Sequence, residues 1–174
     1  NAAPVADTVA IYDSYLHGTK ALYDNSGKAA SNIQYVIFKG NLIDDCSNGA
    51  DFIDMRAGAH HNFQFENNTV ANSCRTFIRT DAGHEMNAAV IRNNTFYKVA
   101  TNSSSKDNNG IFHIRSAAGS GLSRYEVASN FFYSILIDTD PENAAGFPKL
   151  RSKGGITPIT FSNNYYYNCE DREE

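Results

Sequence analysis

The chain has no tryptophan, only four prolines and only three cysteines. Cys46, Cys74 and Cys169 are too few, and odd in number, for a disulfide framework. No Cys-x-x-Cys pair or Cys/His cluster offers a zinc site. The three read as small apolar core residues, with a Cys46–Cys74 bridge as the alternative. Long apolar runs are missing too: none approaches the roughly 18–20 residues of a membrane-spanning helix. There is no surplus of positive charge. The 15 Lys and Arg against 19 Asp and Glu leave a net charge of −4, which argues against nucleic-acid binding, a task that wants a basic face. The opening NAAPVADTVA lacks the basic start and apolar stretch of a signal peptide, as expected of a mature or trimmed product. Apolar residues do not recur with the 3.6-residue period of a helix, which excludes a helical solenoid.

What the chain does have is aromatic and amide side chains: 11 Phe, 10 Tyr and abundant Asn in 174 residues, enough for one domain. Phe and Tyr favour strands and Asn does not, yet Asn pairs recur inside strand-like runs. Examples are FQFENNTVANS (63–73), VIRNNTFYKV (90–99) and ITFSNNYYYNC (159–169). The second Asn of each pair, or its equivalent in FKGN and VASN, gives five anchors: Asn41, Asn68, Asn94, Asn130 and Asn164. Three residues before them stand Phe38, Phe65, Ile91, Val127 and Phe161; five before, Val36, Phe63, Ala89, Tyr125 and Ile159. Two residues after stand Ile43, Val70, Phe96, Phe132 and Tyr166; five after, Cys46, Ser73, Val99, Ile135 and Cys169. All but Ser73 are apolar or aromatic, and polar residues such as Gln64, Glu66, Arg92 and Glu126 alternate with them, the signature of strands with one face in and one out.

Each unit therefore reads as a strand, an Asn corner and a second short strand. Asn tolerates the left-handed backbone of a sharp corner, and its amide can bond to the amides one coil above and below as a ladder. A third strand follows in DFIDMRAGA (51–59), TFIRTDAG (76–83), GIFHIRSAAG (110–119) and ILIDTD (135–140). Insertions at 101–110 and 140–155 lengthen two of the repeats. Short strands repeated at near-constant spacing specify a solenoid rather than a propeller. The expected fold is all-β: a right-handed, single-stranded parallel β-helix of about five to six coils with an Asn ladder at a corner. Residues 1–174 form a single domain: an imperfect first coil over 1–29, regular coils over 30–169 and an acidic tail over 170–174. Open ends are unpaired edges, which points to the C-terminal part of a longer solenoid or to a cap supplied elsewhere.

On the NNTF, NNTV and SNFFYS corners and the FIRTDAG and FHIRSAAG strands, the chain resembles the right-handed parallel β-helix proteins of the pectate-lyase superfamily, nearest the chondroitinase-B-like branch. It is also similar to C-terminal domains of uncharacterised secreted lipoproteins from gut Bacteroidetes. The resemblance covers residues 30–169. It implies a secreted, periplasmic or cell-surface protein that meets polysaccharide. The branch cleaves with a Lys, an Arg and a calcium held by acidic residues, a set that does not map onto this chain.

Candidate chemistry concentrates on the third strands. Arg56, Arg79 and Arg115 are read there as one column, each after an inward Met55, Ile78 or Ile114, with Asp138 in the fourth unit. Stacked guanidiniums need anions between them: either Asp54, Asp81 and Asp138 pair with them, or a uronate or sulfated polymer does, since Arg holds carboxylates bidentately. His60, His61, His84, Glu85 and His113 stand nearby. A lyase needs a base and a cation for the enolate, for which Arg79, His84 and His113 are the candidates. Arg56, Arg79, Arg115, His113, His84 and Glu85 are the candidates for holding substrate. Asp138, Asp140 and Glu142 alternate as calcium ligands do, without the Gly and closing Glu of an EF-hand; no other cofactor is expected. Outward members of Phe131–Tyr133 and Tyr165–Tyr167 pack within the sheet or stack on sugars. The expected function is to bind or cleave an acidic, uronate-containing glycan along an Arg-lined face. The alternative is a structural or adhesin-type β-helix without a glycan site. Expected partners are an acidic polysaccharide and an N-terminal β-helix portion or cap.

Overall fold

A computed structural model describes residues 5–25, 31–46, 52–72, 77–80, 86–99, 112–113, 124–135 and 160–169. Every element among them is a strand. The first coil holds β1 (Val5–Tyr12), β2 (Tyr15–His17) and β3 (Tyr23–Asp24). The second holds β4 (Asn32–Lys39), β5 (Leu42–Asp44) and β6 (Ile53–Asp54). The third holds β7 (Ala59–Glu66), β8 (Thr69–Ala71) and β9 (Ile78–Arg79). The fourth holds β10 (Ala88–Arg92), β11 (Thr95–Tyr97) and β12 (Phe112–His113). Two further pairs follow: β13 (Arg124–Ala128) with β14 (Phe131–Tyr133), and β15 (Thr160–Ser162) with β16 (Tyr165–Tyr167).

Strands of like position pair in parallel from coil to coil, giving three sheets. Sheet A runs β1-β4-β7-β10-β13-β15, sheet B runs β2-β5-β8-β11-β14-β16, and sheet C runs β3-β6-β9-β12. Neighbours in a sheet are about one turn of chain apart, the arrangement of a parallel β-solenoid. Residues 5–24 supply the three strands of the first coil.

The register follows the repeat. Phe38, Phe65, Ile91, Val127 and Phe161 pair in one line, and Ile43, Val70, Phe96, Phe132 and Tyr166 in another. These side chains fill the coil. Phe96 stacks on Phe132 with centroids 5.0 Å apart, and Phe77, the residue before β9, meets both Phe65 and Phe96 edge-on at 4.8 and 4.9 Å. Offset and edge-on contacts between rings add to the area term. Where Tyr125 enters, its neighbour in the line is Ala89, which leaves room for the larger ring.

The corner between sheets A and B divides its work between two residues. Asn67, Asn93 and Asn163, the first members of the pairs, hold positive φ of 55°, 57° and 54°; Asp13, Gly40 and Ser129 do the same in the other coils. At Gly40 a Cβ would meet only the end of the exposed Asp13 side chain, which can swing aside, so it is the positive φ that glycine eases there. The second members, Asn41, Asn68, Asn94 and Asn130, are buried. Asn94, expected to turn the corner, is thus a rung of the ladder, and Asn93 makes the turn.

Each rung is built alike. The Asn68 backbone N–H and side-chain Nδ2 both donate to Asn94 Oδ1, at 2.8 and 3.2 Å, and Nδ2 also donates to the Phe38 carbonyl of the previous coil. Asn68 Oδ1 in turn accepts from the backbone and Nδ2 of Asn41, both at 2.9 Å. Such complete satisfaction is what lets a polar amide stay buried. The ladder continues through Asn130 to Asn164, and in the first coil Ser14 stands in place of the amide. A second left-handed position closes sheet B in every coil, at Gly18, Asp45, Asn72, Lys98, Ser134 and Asn168. Cys46 carries a free, buried thiol 3.0 Å from Thr19 Oγ1, so it is a core residue and not half of a bridge. Cys74 lies outside the described residues.

Candidate functional site

The third strands were read as an arginine column, and the pairing corrects that alignment. Asp24 pairs with Asp54, Asp54 with Arg79, and Arg79 with His113, while Ile53 and Ile78, both fully buried, form the inward line and Phe112 pairs with Ile78. Arg79 is therefore level with Asp54, and Arg56 lies two residues further on. Met55 and Ile78 are both fully buried, as expected, but they sit at different levels. The sequence carries the signal: Phe-Ile recurs in DFID and TFIR, and Phe52 stacks on Phe77 at 5.5 Å.

Of the two anions proposed for Arg56, the internal one is present. Its Nε lies 2.8 and 2.9 Å from the Asp54 carboxylate oxygens, and its terminal nitrogen is 2.6 Å from Oδ2. Asp54 is 4% exposed, and the guanidinium covers it. A buried carboxylate needs this kind of multiple, charge-assisted contact. Arg79, half-buried in the next coil, is the neighbouring cation on sheet C, and His113 follows it in register. Arg115, His84, Glu85, Asp81, Asp138, Asp140 and Glu142 lie outside the described residues.

The histidines separate. His60 is fully buried at the start of β7, opposite Ile33 of β4. Its Nε2 lies 2.9 Å from the Tyr23 hydroxyl and 3.2 Å from Asn25 Nδ2. The amide Nδ2 can only donate, so Nε2 is the accepting nitrogen and the proton of the neutral imidazole is on Nδ1. Burial, with the neighbouring His61 adding to it, lowers the His60 pKa to about 4. Asn25 Nδ2 also donates to the Ala57 carbonyl, and Ser31 Oγ completes the cluster. Tyr23 and Asn25 are site neighbours that the repeat does not announce, because sheet C of the first coil departs from the consensus. His61 faces out between Asn32 Oδ1 at 2.9 Å and Asn87 Nδ2 at 3.3 Å.

Two other surfaces carry ordered side chains. On sheet A, Glu66 accepts from Arg92 at 3.1 Å and faces Lys39 at 4.0 Å, a column of alternating charge. On sheet B, Tyr97, Tyr133 and Tyr167 form one outward line, at 4.9 and 5.3 Å, and Phe131 with Tyr165 a second, at 5.2 Å. Tyr97 on Tyr133 and Phe131 on Tyr165 lie within 27° of parallel, so these rings cover each other's faces and show solvent their edges. That is packing within the sheet; a sugar stacks on ring faces.

Among the described residues no cluster of three or more His, Cys, Asp or Glu could hold a metal ion, and no helix is long and apolar enough to cross a membrane. No protein-family model, curated protein or solved structure matches the chain.

Proposed function

We propose that the chain is an extracytoplasmic solenoid module that binds an acidic, uronate-containing polysaccharide across sheet C. The observation that carries this is the register Asp54–Arg79–His113. It puts Arg79 and His113 of successive coils in backbone register, beside the Asp54–Arg56 pair. A solenoid offers equivalent positions at about 4.8 Å per coil, a repeat suited to a repeating polymer laid along the axis. The proposed kinship with the pectate-lyase superfamily rests on the corner and strand motifs already quoted.

Binding is favoured over cleavage. The described histidine with a lowered pKa, His60, is fully buried. A polymer on the outer face has no access to it as a base. Gel retardation in uronate polymers tests the proposal. The wild type is slowed, neutral polymers leave it unaffected, and Arg79→Ala weakens retardation by roughly tenfold, about 1.4 kcal/mol. Unchanged wild-type mobility in every acidic polymer removes the glycan reading. Release of unsaturated products from such a polymer would instead make the module a lyase. The second reading, a structural or adhesin-type solenoid, is favoured by one observation: Asp54 already neutralises Arg56.

A further inference from the structure

The two ends of the solenoid match. In the middle coils Val36, Ile43, Phe96 and Phe132 are fully buried, whereas their equivalents in the first and last coils, Val9, Leu16 and Tyr166, are only partly covered. Phe161 and Cys169 are partly covered as well. Among the described residues, sheets A and B end on β1 and β2 at one side and on β15 and β16 at the other.

The hydrogen-bonding pattern gives the two ends opposite polarity. Within the ladder each rung's backbone N–H and Nδ2 donate forward to the next Asn Oδ1, and Asn164 is the last described rung. Asn164 Oδ1 accepts from Asn130 and its Nδ2 donates to the Val127 carbonyl, so by the pattern of the earlier rungs its backbone N–H and second Nδ2 hydrogen are directed to the place of a next rung. The first coil has Ser14 at that position. Its backbone N–H donates to Asn41 Oδ1, and its hydroxyl donates to the Tyr12 carbonyl at 2.7 Å, leaving the Oγ lone pairs as acceptors. At the left-handed corner, Asn93 N–H donates to the Ala128 carbonyl of the next coil, and Ser129 N–H to Ser162. Continuing that rule, Asn163 would donate to Tyr12, Asn164 to Ser14, Asn168 to His17, and Tyr15 N–H would return a bond to the Asn164 carbonyl.

The side chains complement one another in the same frame. Phe161 comes over Ile11, and Tyr166 over Leu16. On the outer face Tyr165 comes over Tyr15, and Tyr167 over His17. Tyr15, Tyr165 and Tyr167 are 64%, 62% and 56% exposed, and Tyr165 and Tyr167 each pack on a ring of the preceding coil on one side. Natural sheet edges are protected by Lys, Pro or bulges. Neither Thr160–Cys169 nor Val5–His17 contains Lys, Arg or Pro.

We propose that the last coil of one copy seats the first coil of a second copy, so that the chain self-associates head to tail by adding one solenoid to another in register. The contact is heterologous and does not close, so it propagates into linear stacks rather than stopping at a dimer. Sedimentation analysis of the full 174-residue chain over a range of concentrations tests this. The weight-average mass should rise with concentration past that of a dimer. Tyr165→Lys/Tyr167→Lys blocks one end and Tyr15→Lys the other; all three side chains are exposed, so folding is retained and circular dichroism checks it. Each blocked protein alone should be monomeric, with association weakened at least tenfold. Mixed one to one, they should recover a dimer and nothing larger, because each retains the end the other lacks. A wild type that stays monomeric throughout overturns the proposal. So does a mixture that forms no dimer, which would place association on another face.

Discussion

At the scale of single residues, the paired asparagines are two devices. Asn67 holds a left-handed φ of 55° and is exposed. Asn68 is buried and bonded on both sides. Substitution should separate the two roles. Asn67→Gly should change stability by less than about 1 kcal/mol, since glycine accepts that backbone freely. Asn68→Ala orphans groups of Asn41 and the Phe38 carbonyl, at about 1–3 kcal/mol for each buried unsatisfied group, so a loss of about 3 kcal/mol or more is expected. Asn68→Asp should be worse at neutral pH, because a carboxylate would face the Phe38 and Asn94 oxygens that now accept from Nδ2. Urea unfolding of the three variants measures the contrast, and equal losses from Asn67→Gly and Asn68→Ala would contradict it. His60 supplies a pH dependence. Its pKa is lowered to about 4 in the folded chain by burial and His61, against about 6.5 when unfolded. The unfolded state therefore takes up the proton first as pH falls. Stability is complete above about pH 6.5 and declines toward pH 4, by about 2 kcal/mol between pH 7 and pH 5. Urea midpoints over that interval should fall in the wild type and fall less in His60→Gln, whose amide carries no titrating proton.

At the scale of strands, legibility in the sequence follows element length. Sheets A and B could be aligned from the repeat because each unit offers several inward residues around a fixed Asn. Val36, Phe38 and Ile43 recur as Phe63, Phe65 and Val70, and the pairing is that alignment. Sheet C could not be aligned this way. Its strands β6, β9 and β12 are two residues long, so no alternation exists within them, and matching on arginine displaced one coil by two residues. Phe52-Ile53 and Phe77-Ile78 were the better guide, since buried residues set register and exposed charges do not. The choice between the two asparagines was veiled for a different reason. Both can adopt the left-handed conformation, and only the column shows that the first place also admits Asp13, Gly40 and Ser129 while the second requires an amide in all but the first coil. The Tyr23–Asn25–His60 cluster was hidden because its members come from residues far apart in sequence that meet only once the coils stack.

At the scale of the molecule, a solenoid has no single centre, and its stability is roughly a sum of coil and neighbour-to-neighbour terms. Interior coils have neighbours on both sides and terminal coils on one. The described chain grades accordingly. Phe63, Phe65, Ile91 and Phe96 are all but fully buried, and Val9, Ile11, Phe161 and Tyr166 are only partly covered. Opening should therefore begin at the ends and reach the middle last. Amide hydrogen exchange at low concentration is expected to be slowest in β7, β8, β10 and β11, and faster in β1, β2, β15 and β16. Stacking of one copy on another adds a testable term to this profile. Raising the concentration should slow exchange at β1, β2, β15 and β16 together while leaving β7 and β10 unchanged, because only the terminal coils gain neighbours. Protection that rises equally in every coil would show association stabilising the whole fold. Protection that rises at one end alone would show a partner meeting a single terminal coil.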